Sequence, residues 1–275
     1  MRVENVKPSI GSIVHVERSA LLDEEVAQRC LELLDERGVL IFPRINLNDE
    51  EQLAFTDKLG ARVNFTNKVP GGDKNTQGVY TITLDPTINT EPEYVYGTYF
   101  WHMDGLCSPI PPPKATVLSA RKVAPKGGQT EFASTYAAYQ ALPEEEKAEI
   151  AGLRVIHSVT AAVRAVTTPD ALDPNRREMR HERPLVWTRK SGRKSMLIGY
   201  TADYVVGMPQ HEGRALLARL LEWTSQPEFT YRHRWQEGDL VVWDNCGALH
   251  RVIPYAENSG RTMHRTSVAG VEAVA

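Results

Sequence analysis

Apolar and polar positions change period repeatedly along this chain, and each change marks an element. Residues 10–17 alternate, with Ile13 and His15 opposite Val14 and Val16, and read as a short strand. Val26, Cys30, Leu33 and Leu34 then recur at helical spacing, with Asp23 placed to cap the start and Gly38 to close the end in the left-handed conformation. Val39-Leu40-Ile41-Phe42 is an apolar run of strand length stopped by Pro43. Asn48 with Glu51 three residues on predicts a capping box opening a second helix, which runs through Leu53, Phe55 and Leu59 to Gly60.

Between 61 and 100 the periodicity fades. Pro70-Gly71-Gly72-Asp73-Lys74-Asn75 reads as a turn cluster, and Val79 to Leu84 as a strand. Residues 85–100 are polar and then tyrosine-rich, a candidate lid. Strand patterns return at 115–120, after the turn Gly127-Gly128, at 153–157, and as a pair, 184–187 and 195–199, around the turn 190–193. Helical spacing covers 134–151, interrupted at Pro143, and 209–224, with Leu216, Leu217, Leu220 and Leu221 as the stripe. Residues 160–183 are polar and carry Arg164, Arg176, Arg177, Arg180 and Arg183, which predicts a solvated basic loop or a second lid. Strands are expected at 229–235, 240–243 and 261–268. Many short strands with a few outer helices predict a mainly β fold with a jelly-roll core, as one domain over 1–275 with lid segments at 85–100 and 160–183.

Composition narrows the class of function. Net charge is −3, without the clustered basic excess of a nucleic-acid surface. No apolar run approaches membrane-spanning length, and the first residues lack the apolar core of a signal peptide, so no membrane partner is expected. Three widely spaced cysteines, Cys30, Cys107 and Cys246, argue against a disulfide framework and for a reducing cytoplasm.

The chemistry concentrates at Trp101-His102-Met103-Asp104-Gly105. On extended backbone, residues i and i+2 face one side, so His102 and Asp104 can aim a nitrogen and an oxygen at one point. A lone His-x-Asp is weak evidence. It gains weight from His250 in Trp243-Asp244-Asn245-Cys246-Gly247-Ala248-Leu249-His250. Two histidines and a carboxylate on one face of a metal, with other positions open, make the facial triad of non-haem Fe(II) oxygenases. His15, His157, His181, His211, His233 and His264 carry no such context and read as structural.

In the order and spacing of its motifs the chain resembles the TauD/TfdA family of Fe(II)- and 2-oxoglutarate-dependent dioxygenases. The matching pieces are Gly38 to Phe42, Glu51 to Phe55, Trp101-His102-x-Asp104, Gly127 to Phe132, Pro184 to Val186, Gly192 to Ser195, Trp243-Asp244-Asn245 with His250, and Arg261-x-Met263-x-Arg265. The resemblance implies that His102, Asp104 and His250 bind Fe(II), leaving positions for 2-oxoglutarate and O2. It implies that Arg261 and Thr130 hold the distal carboxylate of 2-oxoglutarate and that Arg265 meets an acidic group on the substrate. Tyr96, Tyr99 and Gly105 are carried as further substrate-side residues. Trp101 and Trp243 are expected to pack around the site. Cys246 stands where many members have arginine.

Taurine-type members also use a histidine before the first iron ligand, and residues 61–101 contain none. The resemblance therefore points to an aromatic or apolar acid, such as an aryloxyalkanoate, hydroxylated with C–O or C–S cleavage where a heteroatom adjoins. Desaturation, epimerisation or cyclisation by the same cofactors is the alternative, and a non-catalytic jelly-roll binding protein is the rival from another class. Relatives of this kind are often dimers or tetramers, so self-association is expected.

Overall fold

The computed structural model describes residues 1–63, 78–168, 170 and 174–274. The expected turn at 70–75 lies outside the described residues. The chain opens with strands β1 (Arg2–Asn5) and β2 (Ser12–His15), helix α1 (Glu24–Arg37), β3 (Val39–Phe42), helix α2 (Asp49–Leu59), β4 (Tyr80–Thr83) and a short helix α3 (Glu93–Gly97). Next come β5 (Ala115–Lys122), β6 (Thr130–Ser134), α4 (Thr135–Ala141), α5 (Glu144–Ile150), β7 (Arg154–Ser158), α6 (Val159–Val163), α7 (Pro174–Arg177) and β8 (Arg180–Pro184). The last part holds β9 (Val186–Thr188), β10 (Lys194–Met196), β11 (Ala202–Val205), α8 (Gln210–Thr224), β12 (Thr230–His233), β13 (Leu240–Asp244), β14 (Ala248–Val252) and β15 (Thr262–Val268).

The main sheet has seven strands in the order β1-β2-β3-β13-β5-β15-β4. A smaller sheet, β12-β6-β14, faces it, and β11-β7-β8 and the pair β10-β9 extend the structure. This is the jelly-roll core with decorating helices.

Alternation along the strands decides what reaches the interior. On β3 and β13, Leu40, Phe42, Leu240 and Val242 face α1 and α2, and meet Cys30, Leu34 and Phe55 there. Their neighbours Val39, Ile41, Val241 and Trp243 face inward and pack on Phe132 of β6, Ala248 of β14 and Met263 of β15. Because both faces of the main sheet are covered, β13 is buried at every position and reads as one apolar run. The same alternation turns Thr116 on β5 and Arg265 on β15 inward. It does so for Thr130 on β6 and His250 on β14 as well.

Helix starts follow local chemistry. Asn48 caps α2 with both bonds of the capping box in place, and α1 ends at Gly38 with φ 72°. Asp23 occupies the first cap position but its side chain makes no capping bond.

The expectations need correction in two places. The segment 160–183 is not a solvated loop throughout: α6, α7 and β8 occupy it, with β8 paired to β7. Arg183 is 2% exposed, and its guanidinium donates to the carbonyls of Leu106, Ser108 and Ile110. β1, β11 and β14 are strands that the pattern did not show as such, being short or, for β14, following closely on a glycine.

Candidate active site

His102 and His250 come together through backbone pairing. His102 forms a single antiparallel bridge to His250, with His102 N–H donating to the His250 carbonyl at 3.0 Å and the reverse bond at 2.9 Å. A residue from the loop after α3 is thereby added to the edge of the β12-β6-β14 sheet. Directly paired cross-strand residues hold their side chains side by side, and the two imidazole centroids lie 4.1 Å apart. Asp104 follows two residues on, so its carboxylate reaches the same point. One donor atom from each of His102, Asp104 and His250 lies within 4.8 Å of the others.

The electrostatics suit a cation. Burial lowers the pKa of both imidazoles, His250 further because His102 sits beside it, so both are neutral and able to donate lone pairs. Burial opposes ionisation of Asp104, yet Arg265, the two imidazoles and the Thr116 hydroxyl outweigh it and hold the carboxyl at about 2. His102 Nδ1 lies 2.8 Å from the Phe100 carbonyl, which fixes the proton on Nδ1 and leaves Nε2 as the ligand atom. Two neutral imidazoles and an ionised carboxylate, all buried and convergent, match the donor set of a divalent metal with N and O preference.

A second cluster lies at the Arg261 guanidinium. Arg261 is 3% exposed and stacks over the Tyr255 ring at 4.9 Å. Arg261 Nη2 and the hydroxyls of Tyr255 and Tyr99 are buried without a hydrogen-bond partner. Thr130 Oγ1 accepts from Trp235 Nε1 at 2.9 Å, which leaves the threonine proton free to donate. Buried donors without acceptors are costly alone, and an incoming carboxylate would satisfy them. Gly128 lets the Arg261 stem approach, since a Cβ there would lie 3.1 Å from Arg261 Cδ. The residues present thus fit a dicarboxylate cosubstrate.

Beside the triad opens a cavity of about 480 Å3, within the roughly 300–1,000 Å3 range of small-molecule sites. His102, Asp104, Gly105 and Arg265 line one end. Gly105 has φ +80°, and a Cβ there would meet Pro113 at 2.7 Å, so the turn after Asp104 admits only glycine. The remaining wall is largely apolar, including Tyr80, Val95, Leu106, Val163, Met179 and Tyr200. Arg265 Nη2 donates to Asp104 Oδ2 at 2.9 Å, which links one of the cavity's two arginines to the triad. Arg176 on α7 pairs with Glu91 at 2.8 Å and lies 4.1 Å over the Tyr94 ring, tying the 160–183 segment to the 85–100 segment across the cavity wall.

Several expected residues sit elsewhere. Tyr96 lies outside the cavity, its hydroxyl donating to Glu257 at 2.5 Å. Tyr99 packs edge-on against Tyr255 and belongs with the Arg261 cluster. The cavity tyrosines are Tyr80, Tyr94 and Tyr200, and Tyr255 completes the Arg261 cluster; sequence reasoning missed these roles. The position of Tyr255, five residues after His250, was the available signal for it. Trp101 packs under Arg251 at 4.6 Å, and Trp243 packs on His250 at 4.7 Å. Cys246 is buried; the carboxylate of nearby Asp244 is met by Tyr136 at 2.9 Å and by Arg189 at 3.5 Å.

The family model for taurine catabolism dioxygenase TauD, TfdA family, matches residues 2–267. The chain is 37% identical over 261 residues to the alpha-ketoglutarate-dependent 2,4-dichlorophenoxyacetate dioxygenase of Cupriavidus pinatubonensis, covering 91% of this chain and 90% of that protein. It is 32% identical over 250 residues to the (S)-phenoxypropionate/alpha-ketoglutarate-dioxygenase of Sphingobium herbicidovorans, covering 86% and 83%. The crystal structure of AAD-2 in complex with Mn(II) and N-oxalylglycine superposes with a TM-score of 0.85 at 32% identity, covering 100% of both chains. Sequence and fold agree along nearly the whole chain: the protein belongs to the TauD/TfdA family and is a 2-oxoglutarate-dependent dioxygenase.

Proposed function

We propose that the protein hydroxylates a small aromatic or apolar carboxylic acid of the aryloxyalkanoate kind at the carbon beside the ether oxygen. One observation carries this reading: the cavity beside the triad is largely apolar, with Arg265 at its triad end next to Asp104 and its other arginine, Arg176, paired with Glu91. An apolar wall favours an aryl group, and a guanidinium favours the carboxylate. Anchoring the acid at Arg265 sets the adjacent carbon near His102 and Asp104. The relatives act on 2,4-dichlorophenoxyacetate and (S)-phenoxypropionate, which supports the same substrate class here.

His102, Asp104 and His250 would hold Fe(II). Arg261, Thr130, Tyr99 and Tyr255 would hold the distal carboxylate of 2-oxoglutarate. Bound Fe(II) and 2-oxoglutarate supply the O2-dependent oxidation of a C–H bond, with succinate and CO2 as coproducts. The chain's own part is to bind, orient and keep water out. Residues 85–100 and 160–183 wall the cavity through Tyr94, Val95, Val163 and Met179, and this reading takes them as lids of a single catalytic domain. Three free cysteines favour a reducing cytoplasm. Among the described residues no helix is long and apolar enough to cross a membrane. Self-association as a dimer or tetramer belongs to the same reading, on the family resemblance.

Hydroxylation beside the ether oxygen gives a hemiacetal, which breaks to a phenol and a 2-oxoacid. The test is aerobic turnover with Fe(II), 2-oxoglutarate and a panel of phenoxyacetate, phenoxypropionate, taurine and alkyl sulfates. The expected result is phenol release in step with succinate from the aryloxy acids and none from taurine. Turnover of the sulfur compounds alone contradicts the reading.

A further inference from the structure

Asp104 stands at the end of a run of buried hydrogen bonds that begins 139 residues later in the chain, at Trp243. Trp243 Nε1 donates to Asn245 Oδ1 at 3.0 Å. Asn245 Nδ2 donates to Thr116 Oγ1 at 2.8 Å. Thr116 Oγ1 donates to Asp104 Oδ2 at 3.0 Å. The direction is forced by chemistry. An indole N–H can only donate, so it fixes the Asn245 oxygen toward Trp243 and the amide nitrogen toward Thr116. The threonine hydroxyl must then accept from that nitrogen, and its single proton is left for Asp104. No member can reverse without leaving a buried polar atom unmatched, which costs about 1–3 kcal/mol.

The surroundings leave the relay little freedom. Trp243, Asn245 and Thr116 are 3%, 0% and 0% exposed. Trp243 and Thr116 are directly paired across β13 and β5, so the first and third members share one register. The Trp243 ring also packs against His250 and Phe132, at 4.7 and 5.4 Å between centroids. Arg265 supplies the other bond to Asp104 Oδ2, so Oδ2 is held from two sides by the protein and Oδ1 is turned toward His102.

We propose that Thr116, oriented by Asn245 and Trp243, is a positioning residue that fixes the Asp104 carboxylate for metal binding. This rests on the reading of His102, Asp104 and His250 as the metal ligands. It gives the Trp-x-Asn pair a role that neither packing nor ligation provides. Partners that orient a ligand in this way typically contribute about 10–100-fold to metal affinity.

The test is a titration of the metal-free protein with Mn(II), followed by electron paramagnetic resonance, together with the Co(II) visible spectrum as a report on ligand geometry. Thr116→Val keeps the shape and removes the relay, and Thr116→Ser restores the hydroxyl. The expected result is that Thr116→Val weakens Mn(II) binding by about tenfold or more and alters the Co(II) bands, while Thr116→Ser stays close to the wild type. Asn245→Ala should weaken binding when Thr116 is present and add nothing once Thr116→Val has been made. Unchanged Mn(II) affinity in a folded Thr116→Val protein overturns the relay. So does an additive Asn245→Ala effect. If Thr116→Val fails to fold, Asn245→Ala alone decides, and wild-type affinity in that variant overturns the relay. Absence of Mn(II) binding in the wild type overturns the metal assignment itself, which is a separate and distinguishable failure.

Discussion

Arg265 occupies two roles at the scale of single residues. It lines the cavity and also donates to Asp104 Oδ2 at 2.9 Å. A charge-assisted hydrogen bond contributes about 1.5–3 kcal/mol. Arg265→Gln is therefore expected to lower kcat/KM for an acid substrate by about 10–100-fold, with 2-oxoglutarate binding kept, because on the proposed reading Arg261 would hold that ligand separately. A kinetic comparison with isothermal titration of 2-oxoglutarate checks both parts. His157 gives a prediction for pH. It is fully buried, with Nδ1 2.8 Å from Thr201 Oγ1, and burial lowers its pKa from 6.5 to about 3. Between those values the unfolded chain binds a proton that the folded chain does not. The folded state thus loses stability as pH falls below 6.5, by up to about 1.4 kcal/mol per pH unit for this one group. Urea unfolding of metal-free protein between pH 7 and 5 should show a shallower slope for His157→Gln than for the wild type. An equal slope contradicts the assignment. The convergence of His102, Asp104 and His250 was legible in the sequence because two of the residues are close in the chain and the third follows a Trp-Asp-Asn motif. Tyr96 and Tyr99 were misplaced because α3 is a short helix, and helical spacing sends neighbouring tyrosines to different faces: Tyr94 to the cavity, Tyr96 toward Glu257, Tyr99 toward Tyr255.

Elements with a strong period were legible almost to the residue, as for α1, α2, β3, β13 and α8. Those held mainly by tertiary pairing were not. β14 carries His250 and contributes two inward residues, Ala248 and His250, yet follows directly on a tight turn whose Gly247 lies against Tyr136. β8 hid behind its arginines, since charge along a strand reads as a loop until a partner is known. Arg183 is the case in point. Its guanidinium holds the turn after Asp104 by donating to the carbonyls of Leu106, Ser108 and Ile110. Arg183→Met should leave those carbonyls without a donor, at about 1–3 kcal/mol for each one that stays buried. A fall in Tm of at least about 4 °C is expected, measured by differential scanning calorimetry. A Tm within a degree of the wild type would show that the turn does not depend on this residue.

At the scale of the whole molecule, the jelly roll is a means of aiming residues that lie far apart in the chain. Thr116, Thr130, His250 and Arg265 come from four strands in two sheets, and alternation turns all four inward. On the function proposed here, the largely apolar cavity would take the substrate, the triad the metal, and the buried donor cluster at Arg261 the distal end of the cosubstrate. The cavity was the least legible part, because much of its wall comes from segments without strong period, 85–100 and 160–183, joined through Arg176 and Glu91. These three regions would meet where 2-oxoglutarate reaches from Arg261 to the metal, and that junction can be observed directly. Purified protein is made anaerobic and supplied with Fe(II) and 2-oxoglutarate, and its visible spectrum is recorded. The expected result is a weak charge-transfer band that needs both additions and is absent in His102→Ala. A well-folded wild-type protein that gives no such band would contradict the assignment of His102, Asp104 and His250 as the iron site.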